Sequence, residues 1–314
     1  MPFNVRAYNR DTGDLSEMVR LVQSSWHPQR RPDTNLHVGD LYWRLRYPEY
    51  EQALWLWHDD TGQLAGFAEW SPGERTLELQ VHPDFARSGL QQEILTWART
   101  IASSLQDSCP LANLCFVYAS ETDNDFNALL LSNSYLREEF WFNYHMRNLD
   151  RDPENCEPSN GFRIRHLHGP TELSARSEGH RAGWQSTLMT DEVYARLMCT
   201  DGYRTNLDIV AEAPNGSLAA VCNCWLDEQN KVGLFEPVST RPDYRRMGLA
   251  RAIISFGMKQ LRSFGANSAW VLSVSSNPGA TSLYDSCGFE IVRRDYRYAL
   301  PADPAVQPAA ISEF

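Results

Sequence analysis

An internal repeat constrains this chain of 314 residues more than any other feature. His82-Pro83-Asp84-Phe85-Ala86-Arg87-Ser88-Gly89-Leu90 is matched by Arg241-Pro242-Asp243-Tyr244-Arg245-Arg246-Met247-Gly248-Leu249. Pro, Asp, an aromatic, the second Arg, Gly and Leu recur in register. Each block follows a strand-like stretch, 77–81 and 232–236, and precedes a helix-like one. In 250–264 the residues Ile253, Ile254, Phe256, Gly257 and Leu261 form much of one helical side. Val5-Arg6-Ala7-Tyr8 opens the first half as Phe162-Arg163-Ile164-Arg165 opens the second, and 124–136 matches 277–289 in length and apolar placement. A duplicated unit implies two similar domains of ordinary size. We therefore expect domains at 1–150 and 161–300. The polar, proline-bearing stretch 151–160 is read as a linker, and 301–314 as a flexible or loosely docked tail.

Within the second copy the pattern predicts strands over 162–166, 207–212, 217–226, 231–240, 269–275 and 289–298. Helices are expected over 171–183, 190–199, 246–264 and 279–287. Pro214-Asn215-Gly216 marks a hairpin turn, and Gly265 and Gly288 stop helices. Strands alternating with helices give an α/β (α+β) unit with a mixed, partly antiparallel sheet.

Composition narrows the function. The net charge is −11, so the molecule as a whole lacks the basic footprint that nucleic-acid binding needs. No apolar run approaches the ~18 residues of a membrane span, and the N-terminus has no apolar targeting core. Seven cysteines with no Cys-x-x-Cys fit a reduced, cytoplasmic compartment. Cys222 and Cys224 lie two apart on a strand and are read as small core residues on one face. No metal site is expected.

One segment reverses the overall charge. Residues 241–262 carry Arg241, Arg245, Arg246, Arg251, Lys259 and Arg262 against a single acid, Asp243. The segment sits at a strand-to-helix junction, where unpartnered backbone N–H groups and the positive end of the helix dipole favour an anion. Gly248 lets a ligand reach the backbone. No Gly-Lys-Ser/Thr and no Gly-x-Gly-x-x-Gly follows, which excludes the P-loop and the dinucleotide fingerprint. Arg245-x-x-Gly248-x-Ala250 resembles the pyrophosphate loop of the GNAT superfamily of N-acetyltransferases. Asn277-x-x-Ala280-x-x-Leu283-Tyr284-x-x-x-Gly288-Phe289 resembles that family's second signature. The resemblance extends over both halves and implies two tandem GNAT-like domains. Each would have a mixed, largely antiparallel, splayed sheet flanked by helices.

The resemblance implies acetyl-CoA as co-substrate and assigns roles. Val238 and Thr240 would offer backbone groups to the pantetheine arm, with the Val238 N–H also polarising the thioester carbonyl. Arg245, Arg246, Gly248, Leu249 and Ala250 would hold the pyrophosphate, and Asn277 would bond the CoA arm. Tyr284 would protonate the departing thiolate. Glu236 is the first candidate for the base. It lies two residues before Val238, so the two share a face of a regular strand; Pro237 between them suits a bulge. His180 is the second candidate, on the helix that would wall the acceptor pocket. Trp184 either lines that pocket or plugs the core. In the first copy Ala86 stands for Arg245, Gln91 for Ala250 and Leu131 for Tyr284, while Asn124 matches Asn277. Residues 1–150 are expected to keep the fold without catalysing. The expected reaction is direct acetyl transfer, in a ternary complex, to a primary amine of a small molecule. The rivals are a non-catalytic acyl-CoA-binding regulator and a protein N-acetyltransferase. Oligomeric state is not readable.

Overall fold

The computed structural model describes residues 2–26, 36–71, 74–104, 115–151, 153, 156–158 and 161–300. Much of the expected linker and all of the expected tail, 301–314, lie outside the described residues. The chain divides into two compact units. The first is built from the described residues of 1–36, 47–142 and 293–314, the second from those of 37–46 and 143–292. This division departs from the expected boundaries at 150 and 161. Residues 37–46 of the first half belong to the second unit, and each unit takes a strand from the other half of the chain.

In the first unit the strand order is β1 (Asn4–Ala7), β2 (Leu54–His58), β3 (Leu64–Ser71), β4 (Thr76–Val81), β5 (Cys115–Ser120) and the C-terminal strand β12 (Glu290–Leu300). The first four are antiparallel neighbours. β4 runs parallel to β5, pairing only Thr76 with Phe116 and Leu77 with Val117, and β12 pairs antiparallel with β5 from Asp295 to Leu300. The helices α1 (Asp14–Ser25), α3 (Pro48–Gln52), α4 (Leu90–Ser104) and α5 (Asn124–Ser132) belong here. Leu90, Ile94 and Ala98 of α4 recur every three or four residues and join Trp57, Trp70 and Leu77 in one buried cluster.

The second unit repeats the arrangement. Its order is β7 (Arg163–His166), β8 (Asp208–Glu212), β9 (Leu218–Asp227), β10 (Val232–Thr240), β11 (Ser268–Val274) and, through its residues 143–148, β6 (Leu136–Asn148). β7 to β10 are antiparallel neighbours, and β10 is parallel to β11. The mixed, largely antiparallel sheet is thus present in both units. Helices α2 (Val38–Arg44), α6 (Leu173–Trp184), α7 (Asp191–Met198), α8 (Leu249–Ser263) and α9 (Pro278–Ser286) complete the unit. The sequence-predicted elements of this half coincide with these to within a few residues.

The sheet of the second unit is covered on both faces. On one face, Leu249, Ile253, Met258 and Leu261 of α8 pack with Cys222, Cys224 and Phe235. Gly257 is needed there, since a Cβ would come within 2.6 Å of the Phe235 ring. The opposite face of β9 carries Val221 and Trp225, by strand alternation. Here α6 packs through Gly179 against Val221, and α2 through Gly39 against Trp225. A buried network fixes α6 and α7 to the sheet. Arg176 pairs with Asp208 at 2.7 Å and donates to Asn223 at 2.7 Å, while Tyr194 and Tyr203 donate to Asp208 at 2.5 and 2.8 Å. An ion pair out of water needs such surrounding hydrogen bonds to offset its desolvation. Cys222 and Cys224 lie buried with sulfurs 4.0 Å apart, as small core residues.

Candidate active site

The two parallel central strands of the second unit part company. β10 pairs with β11 only from Val232 to Phe235, although β10 continues to Thr240 and β11 to Val274. Against β9 the register slips between Phe235 and Val238, where three residues of β10 span two of β9. That is a β-bulge, and the Glu236–Pro237 peptide within it is cis. Pro237 cannot donate to a ladder, which places the irregularity here.

The bulge corrects one expectation. Pairing of Phe235 with Cys224 and of Val238 with Cys222 sets Phe235 and Val238 on the same face, so the alternation that would have joined Glu236 to Val238 is broken. Beyond the bulge the strand is regular. The Arg241 N–H donates to Ala219 of β9 at 2.9 Å. Backbone groups of a strand alternate sides, so the N–H groups of Thr240 and Val238 turn away from β9, toward the side that β11 has left.

The loop after β10 opens toward that gap. Arg245 is extended, Arg246 adopts φ +63° and Gly248 caps α8 at φ +73°. The positive φ at both positions delays the helix from the expected 246 to Leu249. A Cβ on Gly248 would meet nothing within 4 Å, so its backbone faces open space. Leu249 and Ala250 begin the helix with N–H groups that have no partner inside it. Arg245 donates to the Thr240 and Gly183 carbonyls, both at 3.3 Å, and Arg241 pairs with Glu178 at 3.0 Å. These contacts tie the loop to the end of α6. Gly183 permits the approach, since a Cβ there would sit 2.4 Å from Ser239 Oγ.

Tyr284 lies on α9, 6% exposed. Its ring packs edge-on against His145 of β6 at 5.2 Å and near Phe289 at 6.3 Å. Burial, and then the negative charge of Glu236, push its pKa well above the ordinary phenol value, so the hydroxyl is protonated and within electrostatic reach of the Glu236 carboxylate. Asn277 caps α9, its side chain accepting from the Ala280 N–H at 3.0 Å. Its carbonyl oxygen is thereby committed to the fold.

His180 is 7% exposed. Burial, then the charges of Arg176, Arg46 and Arg181, push its pKa down to about 2. A ring that binds a proton only in strong acid is a weak base. It stands between Trp43 at 5.6 Å and Trp184 at 6.1 Å. Trp184 is 40% exposed and so does not plug the core. Sequence reasoning missed Trp43, Arg46 and His145. Trp43 and Arg46 come from a segment more than a hundred residues upstream, and His145 from a strand assigned to the other half. No local pattern announces such membership.

The first unit keeps the frame with other residues at the equivalent positions. Its α5 is capped by Asp123, which accepts from the Phe126 N–H at 3.0 Å. Asn133 closes α5 as Cys287 closes α9. The equivalents of Asn277 and Tyr284 are therefore Asp123 and Leu130, one residue earlier than the expected Asn124 and Leu131. A run of three leucines hid that register; Leu130 is the buried one and Leu131 is exposed. The loop also differs. Ala86 is helical, Ser88 N–H donates to the Phe85 carbonyl at 3.0 Å, and Leu90 N–H donates to Ser88 Oγ at 3.3 Å. Two of the N–H groups of this loop, those of Ser88 and Leu90, are thus bonded within it.

Among the described residues no cluster of His, Cys, Asp or Glu could hold a metal, and no helix is long and apolar enough to cross a membrane.

With this geometry in hand, the comparisons are specific. Residues 170–289 match the acetyltransferase (GNAT) family. That stretch resembles a GNAT acetyltransferase domain. The chain is 36% identical over 86 residues to the [ribosomal protein bS18]-alanine N-acetyltransferase of Escherichia coli (strain K12), covering 26% of this chain and 55% of that protein. It is 28% identical over 131 residues to a mycothiol acetyltransferase of Nocardiopsis dassonvillei, covering 40% of this chain and 39% of that protein. The chain thus matches only about half the length, or less, of these curated relatives. A solved tandem GNAT protein from the clavulanic acid biosynthesis pathway superposes with a TM-score of 0.63 at 17% identity, covering 97% of this chain and 99% of that one. The described residues share the fold of that tandem GNAT protein.

Proposed function

We propose that this protein is an acyl-CoA-dependent N-acyltransferase that moves acetyl from acetyl-CoA to a primary amine of a small molecule. The observation that carries this reading is the gap beyond Phe235, with the Val238 and Thr240 N–H groups turned into it beside the open Arg245–Ala250 loop. The fit to acetyl-CoA is chemical. An extended pantetheine arm needs strand-like donors, and a pyrophosphate needs a helix start with basic side chains. Thr240 Oγ1 is buried without a partner at the same place. Bound there, acetyl-CoA supplies a thioester as the acyl donor.

The residues divide the work. Val238 N–H stabilises the oxyanion that develops on the attacked carbonyl. Arg245, Arg246, Gly248, Leu249 and Ala250 hold the pyrophosphate. Asn277, its oxygen spent on the cap, offers its amide N–H groups to the arm. Glu236 takes a proton from the attacking ammonium, and Tyr284 gives one to the departing thiolate. The two are linked by charge. Protonating Glu236 removes the negative charge that helps hold Tyr284 in its phenol form, so accepting the first proton eases release of the second. His180 and Trp184 contact the acceptor. The first unit, with Leu130 and a self-bonded loop, does not catalyse. Free thiols at the described cysteines support a cytoplasmic setting, and the net charge of −11 argues against a nucleic-acid partner.

A panel of amines in an acetyl-CoA-dependent thiol-release assay tests the reading. Acetylation of at least one small amine, lost in Tyr284→Phe, is the expected result. Acetylation of peptide N-termini alone would favour the second reading, which the relative acting on a ribosomal protein supports.

A further inference from the structure

Four polar side-chain atoms are buried without a partner on two packed elements of the second unit: Arg176 Nη1 and His180 Nδ1 of α6, and Ser239 Oγ and Thr240 Oγ1 of β10. Such atoms are rare in folded proteins and costly when left unsatisfied, so a group that bonds them is favoured. Arg176 and His180 are four residues apart and so lie on one side of α6, a turn apart. The other end of α6 rests on Ser239 through Gly183. Ser239 is the neighbour of Val238, the oxyanion donor of the proposed reaction.

The surroundings define what fits. The charged groups that act most on His180 are three guanidiniums, those of Arg176, Arg46 and Arg181. Arg176 is balanced by Asp208, and Arg181 reaches Asp191 only at 3.7 Å. The Arg46 guanidinium lies 3.6 Å from the centre of the Trp43 ring. Neutral His180 can present its Nδ1 as a donor, as Arg176 presents Nη1. Donors under a positive potential between two indoles form a site for an anionic end, and two separated donors match the two oxygens of a carboxylate.

We infer that the acceptor amine carries a carboxylate, bound at Arg176 Nη1 and His180 Nδ1 between Trp43 and Trp184. This rests on the acyltransferase reading for its chemistry, and on α6 and the 37–46 segment for its site. The net charge of −11 would by itself favour a cationic acceptor; this site favours an anionic end. The acceptor's amine then lies toward Glu236 and Val238, with its carboxylate one small molecule's length away.

Matched pairs test it: phenylalanine against phenethylamine, tyrosine against tyramine, and lysine against cadaverine. Binding to the CoA-saturated full-length protein is measured by calorimetry, and turnover by thiol release. At least one carboxylated member is expected to bind ten-fold or more tighter than its partner. His180→Leu should erase that preference without changing acetyl-CoA affinity. Arg46→Gln is the second variant, expected to reduce the same preference by several-fold. Equal or tighter binding of the decarboxylated members, binding by no member, or equal weakening of both members in His180→Leu would overturn the inference. Tight binding of a carboxylated member without acetylation would leave the inference standing and sink the acyltransferase reading. Efficient acetylation of the decarboxylated amines would do the reverse.

Discussion

Tyr284 and Glu236 act on each other through charge, and that coupling makes both testable one residue at a time. Tyr284→Phe removes the proton but keeps the ring against His145 and Phe289. It should lower kcat by on the order of 100-fold with acetyl-CoA affinity unchanged, as steady-state kinetics would read. Glu236→Gln should lower the Tyr284 pKa, because the carboxylate is among the groups that raise it, and should lower kcat with acetyl-CoA affinity unchanged. It should also flatten the acid limb of the rate profile if Glu236 is the base. Most of these residues were legible in the sequence, because the loop and the Asn-to-Phe signature are short and local. What was not legible is how the bulge at Pro237 turns the strand. One extra residue inverts the face relation that period-two counting assumes, and nothing in the composition of 232–240 sets the cross-strand register.

At the scale of elements, the 37–46 segment explains why a local reading falls short. His37 caps α2, its Nδ1 accepting from the Gly39 N–H at 3.0 Å, and its Nε2 lies 3.1 Å from the Val232 carbonyl. Burial pushes the His37 pKa down to about 4 from an ordinary value near 6.5. A folded pKa below the unfolded one means that the unfolded chain binds more protons between the two values. The stabilisation is complete above pH 6.5 and is lost as the pH falls toward 4, by roughly 3 kcal/mol at most for this one group. His145 is shifted in the same direction, also to about 4, so the second unit should lose stability steeply over that window. Denaturant unfolding at stepped pH is expected to show the loss, and a smaller slope in His37→Asn. A slope unchanged by that substitution would mean that His37 is not a proton-linked clasp. The helices and strands themselves were readable to within a few residues because hydrophobic period and glycine stops agree. Which unit α2 joins was not, since its partner Trp225 lies about 180 positions away and contact of that kind leaves no periodic trace.

For the whole molecule, the duplication was plain in sequence and the exchange was not. β12 completes the first unit beside β5, and β6 stands beside β11 in the second. The exchange predicts that residues 151–314 expressed alone, lacking β6 and residues 37–46, will not give a cooperatively folding GNAT domain. Circular dichroism with thermal melting would show a broad, low transition, whereas a sharp melt like that of the full chain would contradict it. The central claim is asymmetry, one catalytic unit and one silent one. Calorimetric titration of the intact protein with acetyl-CoA tests it most directly. The account predicts one site per chain, lost when Gly248 is replaced by a bulky β-branched residue such as Ile and unaffected by the same change at Gly89; two sites per chain, or none in a folded sample, would contradict it.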